Sequence, residues 1–328
     1  MAETSTIGAG KENVLIQSGA CALTILPHLG GKIASLRVNG RELLQAPLAA
    51  LAPRNSSMSF EDSDASGWDE CLPSVAGCSV ETANGSAHIP DHGDLWRVAW
   101  QPGPADESNS DGTADHITLR ANCFSLPLTL ERSIALKAME SGNGWKLRLR
   151  YTLTNTSDAP VPWSWAGHIL FASEAGDRIE LPSTVESLRV EGSAGNRLGT
   201  RGDRVNWPLA KTADGSEADL SFAEPPGSAI GDKLFTGPLN RDDGWCALER
   251  PSAGVRIRVR FDPAATPYIG LWLCYGGWPD RPGPKQSCVA LEPSTAPVDS
   301  LAQTGVWSRL LGAGESCTWP MQIEIEQL

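Results

Sequence analysis

WKLRLRYTLTN, residues 145–155, alternates without a break. Trp145, Leu147, Leu149, Tyr151 and Leu153 fall on one side of an extended chain, and Lys146, Arg148, Arg150, Thr152 and Thr154 on the other. That period of two is the signature of a half-buried β-strand. GVRIRVRF at 254–261 repeats it, with Val255, Ile257, Val259 and Phe261 opposing Arg256, Arg258 and Arg260. PMQIEIEQL at 320–328 does so again, with Met321, Ile323 and Ile325 opposing Gln322, Glu324 and Glu326. The charged rows read as solvated faces of a sheet.

Turn chemistry separates such stretches. Asn39-Gly40 in VNGRE and Asn84-Gly85 in TANGSA stand between apolar runs as two-residue hairpin signals. Thirty-three Gly and 24 Pro, without a repeating period, fit many short strands. No amphipathic helix of four turns is evident. DASGWDECLPSV (64–75) and AIGDKLFTGPL (229–239) read as short turns of helix or structured loops. No linker divides the 328 residues, so the expectation is one all-β domain, a large antiparallel β-sandwich.

A net charge of −12 and the absence of any Lys/Arg run argue against a nucleic-acid backbone as partner. A neutral ligand fits better. Twelve Trp against six Phe and three Tyr is an unusual ratio, and indole faces suit both cores and the C–H faces of sugars. No run of 18 apolar residues occurs, and the first residues lack a basic segment followed by an apolar one, so the chain reads as cytoplasmic, with no membrane partner. The eight cysteines are scattered without CxxC spacing and read as reduced, mostly buried thiols.

Three stretches hold candidate chemistry. In IPDHGDLWRVAW (89–100), His92 stands between Asp91 and Asp94. His88 lies four residues before it, but Pro90 interrupts any helix that would make them a metal pair, and no metal site is read. His28 and His116 read as structural. In VPWSWAGHILFAS (161–173), His168 lies in so apolar a run that its imidazole must be hydrogen-bonded or used. In CVALEPSTAPVDSL (288–301), Glu292 ends an apolar run. Partial desolvation there would raise a carboxylate toward the range of a general base.

Asp-His-Gly-x-x-Trp at 91–96, a histidine after a mid-chain apolar strand, and ALEPSTAP at 290–297, in that order, resemble the aldose 1-epimerases (galactose mutarotase-like proteins). GGKIASLRVNGRELL at 30–44 is similar to that family's opening hairpin. The resemblance implies the galactose mutarotase-like supersandwich, interconversion of sugar anomers, and no cofactor. It assigns Glu292 as general base, His168 as general acid, His92 to the sugar near its ring oxygen, and Asp232 to sugar hydroxyls.

Two departures fall around the sugar pocket. GWDECLPSV (67–75) replaces the family's Asn-Gly-Arg loop, leaving Asp69 and Glu70 to contact hydroxyls, and Ile169-Leu170 follows the second histidine in place of Pro and an aromatic residue. Trp272 or Trp278 in GLWLCYGGWP supplies either a stacking wall or core packing. Arg54 and Arg97 lie near the site segments and could converge in space on a phosphate. A non-catalytic sugar-binding protein, or a glycoside hydrolase pairing Asp69 or Glu70 with Glu292, are the competing readings.

Overall fold

The three alternating stretches are neighbours in space. In the computed structural model, which describes residues 13–103 and 116–328, strand Ser316–Gln327 lies antiparallel between Gly144–Asn155 and Val255–Phe261. Leu147 and Val259 both face Ile323, while Trp145 and Ile257 both face Ile325. Their shared face is buried. On the opposite face, Arg260 pairs with Glu324 at 2.8 Å and Arg256 with Glu180 at 2.5 Å. These strands form the middle of an eight-stranded antiparallel sheet.

An eleven-stranded sheet packs on it, and residues of both sheets share one hydrophobic core. Tyr151 and Trp319 stack there at 5.4 Å between ring centroids, with Trp163 and Trp165 alongside. Each such pair adds about 0.5–1.5 kcal/mol beyond the area it buries. About half of the residues are strand, and among the described residues the helical elements are three-residue 3-10 turns, so the chain is all-β as expected.

Both hairpin signals mark hairpins. Val38 pairs with Arg41 around Asn39 and Gly40, whose φ of 51° and 78° are the left-handed values of a two-residue turn. Thr82 pairs with Gly85, so the second turn is Ala83-Asn84, one residue earlier than expected.

DASGWDECLPSV and AIGDKLFTGPL are corrections. They contain strands Trp68–Cys71 and Ile230–Thr236, both in the larger sheet. Their alternation was hidden because both faces are covered: Asp69, Glu70, Asp232 and Lys233 are polar yet buried. With Ala166–Ala172, Ser287–Ser294 and Tyr268–Tyr275 between them, they make five consecutive neighbours in the middle of that sheet.

The eight cysteines are free. Among the described residues no helix is long and apolar enough to cross a membrane, and no group of three or more His, Cys, Asp or Glu is arranged to hold a metal. Residues 1–12 of the leader reading lie outside the described residues.

Candidate active site

Register decides which side chains of the five neighbouring strands meet. Directly opposed residues of an antiparallel pair share a face, and successive residues alternate. Asp69 opposes His168, Gly270 opposes Glu292, and Lys233 opposes Trp272. Asp69, His168, Glu292, Trp272 and Lys233 therefore share the face away from the other sheet, while Glu70 and Asp232 point the other way.

A cavity of about 290 Å³ opens on that face. Phe60, His92, His168, Lys233, Trp272, Trp278, Gln286, Glu292 and Asp299 line it, with Glu61 and Asp91. The volume is at the lower end of small-molecule sites, roughly 300 Å³ upward, and suits one monosaccharide.

The 89–100 stretch carries His92 over the sheet from a loop. Asp94 anchors the loop, its carboxylate accepting from the backbone N–H groups of Phe124 and Ser125 and from the Ser125 hydroxyl. Gly93 has a φ of 69°, and a Cβ there would lie 2.2 Å from the Leu72 carbonyl, so the DHG sequence needs its glycine. His92 itself has a φ of 59°, its ring stacked on Phe60 at 3.8 Å. Its Nδ1 sits 2.8 Å from Asp91 Oδ2, which directs Nε2 away from that carboxylate.

His168 Nε2 lies 3.9 Å from Glu292 Oε1. Burial above all, together with the charges of His92 and Lys233, holds His168 well below the ordinary histidine value of 6.5, so its ring is neutral at neutral pH. Lys233 Nζ donates to Glu292 Oε2 and is 3.7 Å from Asp299 Oδ1. Burial disfavours that ammonium, but Glu292 and Asp299 outweigh it and hold it above its ordinary value. Burial raises Asp299, against the pull of Lys233. Three cavity-lining residues carry buried atoms without a hydrogen-bond partner: His168 Nδ1, Glu292 Oε1 and Asp299 Oδ1. Buried polar groups are normally satisfied, so these mark where a polar ligand would sit.

Of the residues singled out from sequence, Glu292, His168, His92, Trp272 and Trp278 line the cavity; Asp69, Glu70 and Asp232 do not. Asp69 is bound between Lys32 at 2.6 Å and Arg54 at 3.2 Å. Glu70 is fully buried between the sheets, where Arg132, Tyr151 and Trp165 donate to it at 2.8, 3.0 and 2.9 Å. Asp232 is fully buried, accepting from Ser193 and Arg197. None has an oxygen free for a sugar hydroxyl, which also removes the imagined hydrolase pair of Asp69 or Glu70 with Glu292. Arg54 is taken up by Asp64 and Asp69, and Arg97 by the carbonyls of Met58, Asp91 and Gly93; neither lines the cavity.

Lys233 and Asp299 were missed. Because GDKLFTG is a strand, Asp232 faces away from the cavity and its neighbour Lys233 takes the cavity face. Asp299 lies in the stretch quoted for Glu292, but nothing local shows that the chain folds back over the sheet.

With this geometry in hand, solved structures place the architecture. A Synechocystis protein superposes with a TM-score of 0.70 at 16% identity, over 100% of both chains. A galactose mutarotase-like protein from Clostridium acetobutylicum superposes at 0.63 with 13% identity, over 99% of this chain and 98% of that one. The GalM/aldose epimerase homologue from C. elegans superposes at 0.63 with 12% identity, over 97% and 100%. No protein-family model and no curated protein matches the chain. The chain has the galactose mutarotase-like fold, as the sequence resemblance implied.

Proposed function

We propose that this protein interconverts the anomers of an uncharged monosaccharide by acid/base ring opening. The observation that carries the reading is the pair Glu292 Oε1 and His168 Nε2, 3.9 Å apart in a cavity sized for one sugar ring. The two oxygens on an anomeric carbon are adjacent, so both groups can reach one hemiacetal centre. Glu292 takes the proton of the anomeric hydroxyl while His168, as imidazolium, gives one to the ring oxygen. The C1–ring oxygen bond breaks and the aldehyde forms. Rotation about C1–C2 and the reverse transfers close the ring as the other anomer and return both protons. Trp272 and Trp278 offer apolar walls for the ring's C–H faces. The indole N–H of Trp272 is held by Gln286 at 2.9 Å, which fixes its plane.

Anomer exchange measured by NMR or polarimetry on freshly dissolved neutral, acidic and phosphorylated aldoses tests the reading. Acceleration lost in Glu292→Gln and His168→Ala supports the enzyme; saturable binding with no acceleration of any sugar supports a sugar-binding protein.

Charge selects the substrate class. Glu61, Asp91, Glu292 and Asp299 present carboxylates to the cavity, and its lysine is engaged by two of them. A phosphate dianion meets like charges there, so kcat/KM for an aldose phosphate should be at least about tenfold below that of the parent sugar. Equal values would show that the cavity does not read charge.

The pH dependence follows from His168. Its productive form is the imidazolium, and its lowered value means that this form grows only as the pH falls. kcat/KM should still be climbing as the pH passes below 6.5. A profile already flat above that pH would assign the acid to another group.

A further inference from the structure

We propose that Lys233 is a positioning residue for this reaction: by holding Oε2 of Glu292 it leaves Oε1 as the one oxygen that takes the substrate's proton. The inference rests on the anomer-exchange reading and assigns a role to a residue outside the acid/base pair.

Glu292 is fully buried, and its two oxygens have different surroundings. Oε2 accepts from the Lys233 ammonium. Oε1 has no hydrogen-bond partner and faces His168. Without the ammonium, both oxygens would compete for the same orientation. The pairing is built into the sheet, because Gly270 stands opposite both Glu292 and Phe235 in register. A Cβ at Gly270 would lie 3.0 Å from Glu292 Oε2 and 3.0 Å from the Phe235 ring. The missing side chain is therefore the space in which the carboxylate meets Lys233, whose Nζ sits 5.2 Å from the Phe235 ring centre.

Charge has a second effect. Facing Glu292 are His168 and Cys71 from the two strands beyond it, Lys233 from the other side, Cys288 on its own strand, and Asp299 and His92 from the covering loops. Burial raises both thiols well above their ordinary value, so they are neutral. Removing the Lys233 ammonium would leave Glu292 beside Asp299 and neutral or weakly charged groups, and would make it a carboxyl harder to ionise.

The test is a pH titration of the protein labelled with 13C-carboxyl glutamate, the Glu292 signal being identified by its loss in Glu292→Gln. In Lys233→Met the Glu292 midpoint should rise by about 1 to 3 pH units, and the acid limb of the kcat profile should move with it while KM changes less. Lys233→Arg, which keeps the charge, should restore most of the parent profile. Gly270→Ala, which leaves Lys233 in place and crowds Oε2, should raise the midpoint in the same direction and covers the case of a Lys233→Met protein that does not fold. An unmoved midpoint in both variants overturns the proposal, and so does a change confined to KM, which would make Lys233 a sugar contact. A parent protein that accelerates no aldose defeats the enzymatic reading and this role with it, whereas an active parent with an unmoved midpoint defeats the Lys233 role alone.

Discussion

Glu292→Gln should lower the anomer-exchange kcat by about 10² to 10⁴-fold, the range over which a positioned acid or base contributes. The amide keeps the shape of the carboxylate and an oxygen for Lys233, so the fold and the cavity should persist and KM should change little. What is lost is a group able to hold the substrate's proton. His168→Ala should fall in the same range. Because the two groups act on one hemiacetal centre, the double variant should be little worse than the weaker single one. Saturation-transfer NMR on a neutral aldose measures the rate directly. A Glu292→Gln protein within a factor of a few of the parent would remove Glu292 as the base and leave a sugar-binding protein as the better reading.

The second large effect lies behind the cavity. Arg132 is fully buried, donating to Glu70 at 2.8 Å and to the Gly31 carbonyl, with its guanidinium 4.8 Å from the Trp100 ring centre. Burial pushes the Glu70 carboxyl up, against the pull of Arg132, Tyr151 and Trp165. Arg132→Ala leaves Glu70 without its charge partner between two sheets, and should cost about 3–5 kcal/mol of folding stability. Replacing both partners, as in Glu70→Leu with Arg132→Met, should recover much of that loss, since no lone charge then remains buried. Urea unfolding of the three proteins measures both numbers. A double variant that regains stability and still exchanges anomers would show that Glu70 serves the fold and not the sugar. A double variant that is stable but inactive would give Glu70 a part in the site.

The candidate site was partly legible, and the line between what could and could not be read is physical. Glu292 and His168 stood out because each is an ionisable group in an apolar run, and such a run is what a strand buried on both faces looks like. His92 stood out only through its order relative to the other two. The resemblance sends Asp69, Glu70 and Asp232 toward sugar hydroxyls, on a reading of their segments as loops in which a carboxylate is free to turn toward a ligand. In strands, their faces are set by parity, and Lys32, Arg54, Arg132 and Arg197 hold them there. Each of those partners is more than 30 residues away or approaches from a separate segment, so no local pattern announces it.

By itself the sequence determined the class of fold, since alternation of apolar and polar residues over strand-length stretches admits one packing, an apolar face against another. It also singled out Glu292 and His168 as candidates, since each is an ionisable group in an apolar run and burying such a group without use is costly, while their roles as base and acid came only from the resemblance. Only the tertiary structure decided which strands lie side by side, and hence that Lys233 rather than Asp232 faces the cavity and that Asp299 folds over it. Strand order and register depend on pairings between residues far apart in the chain, and a shift of one residue exchanges every side chain between core and site.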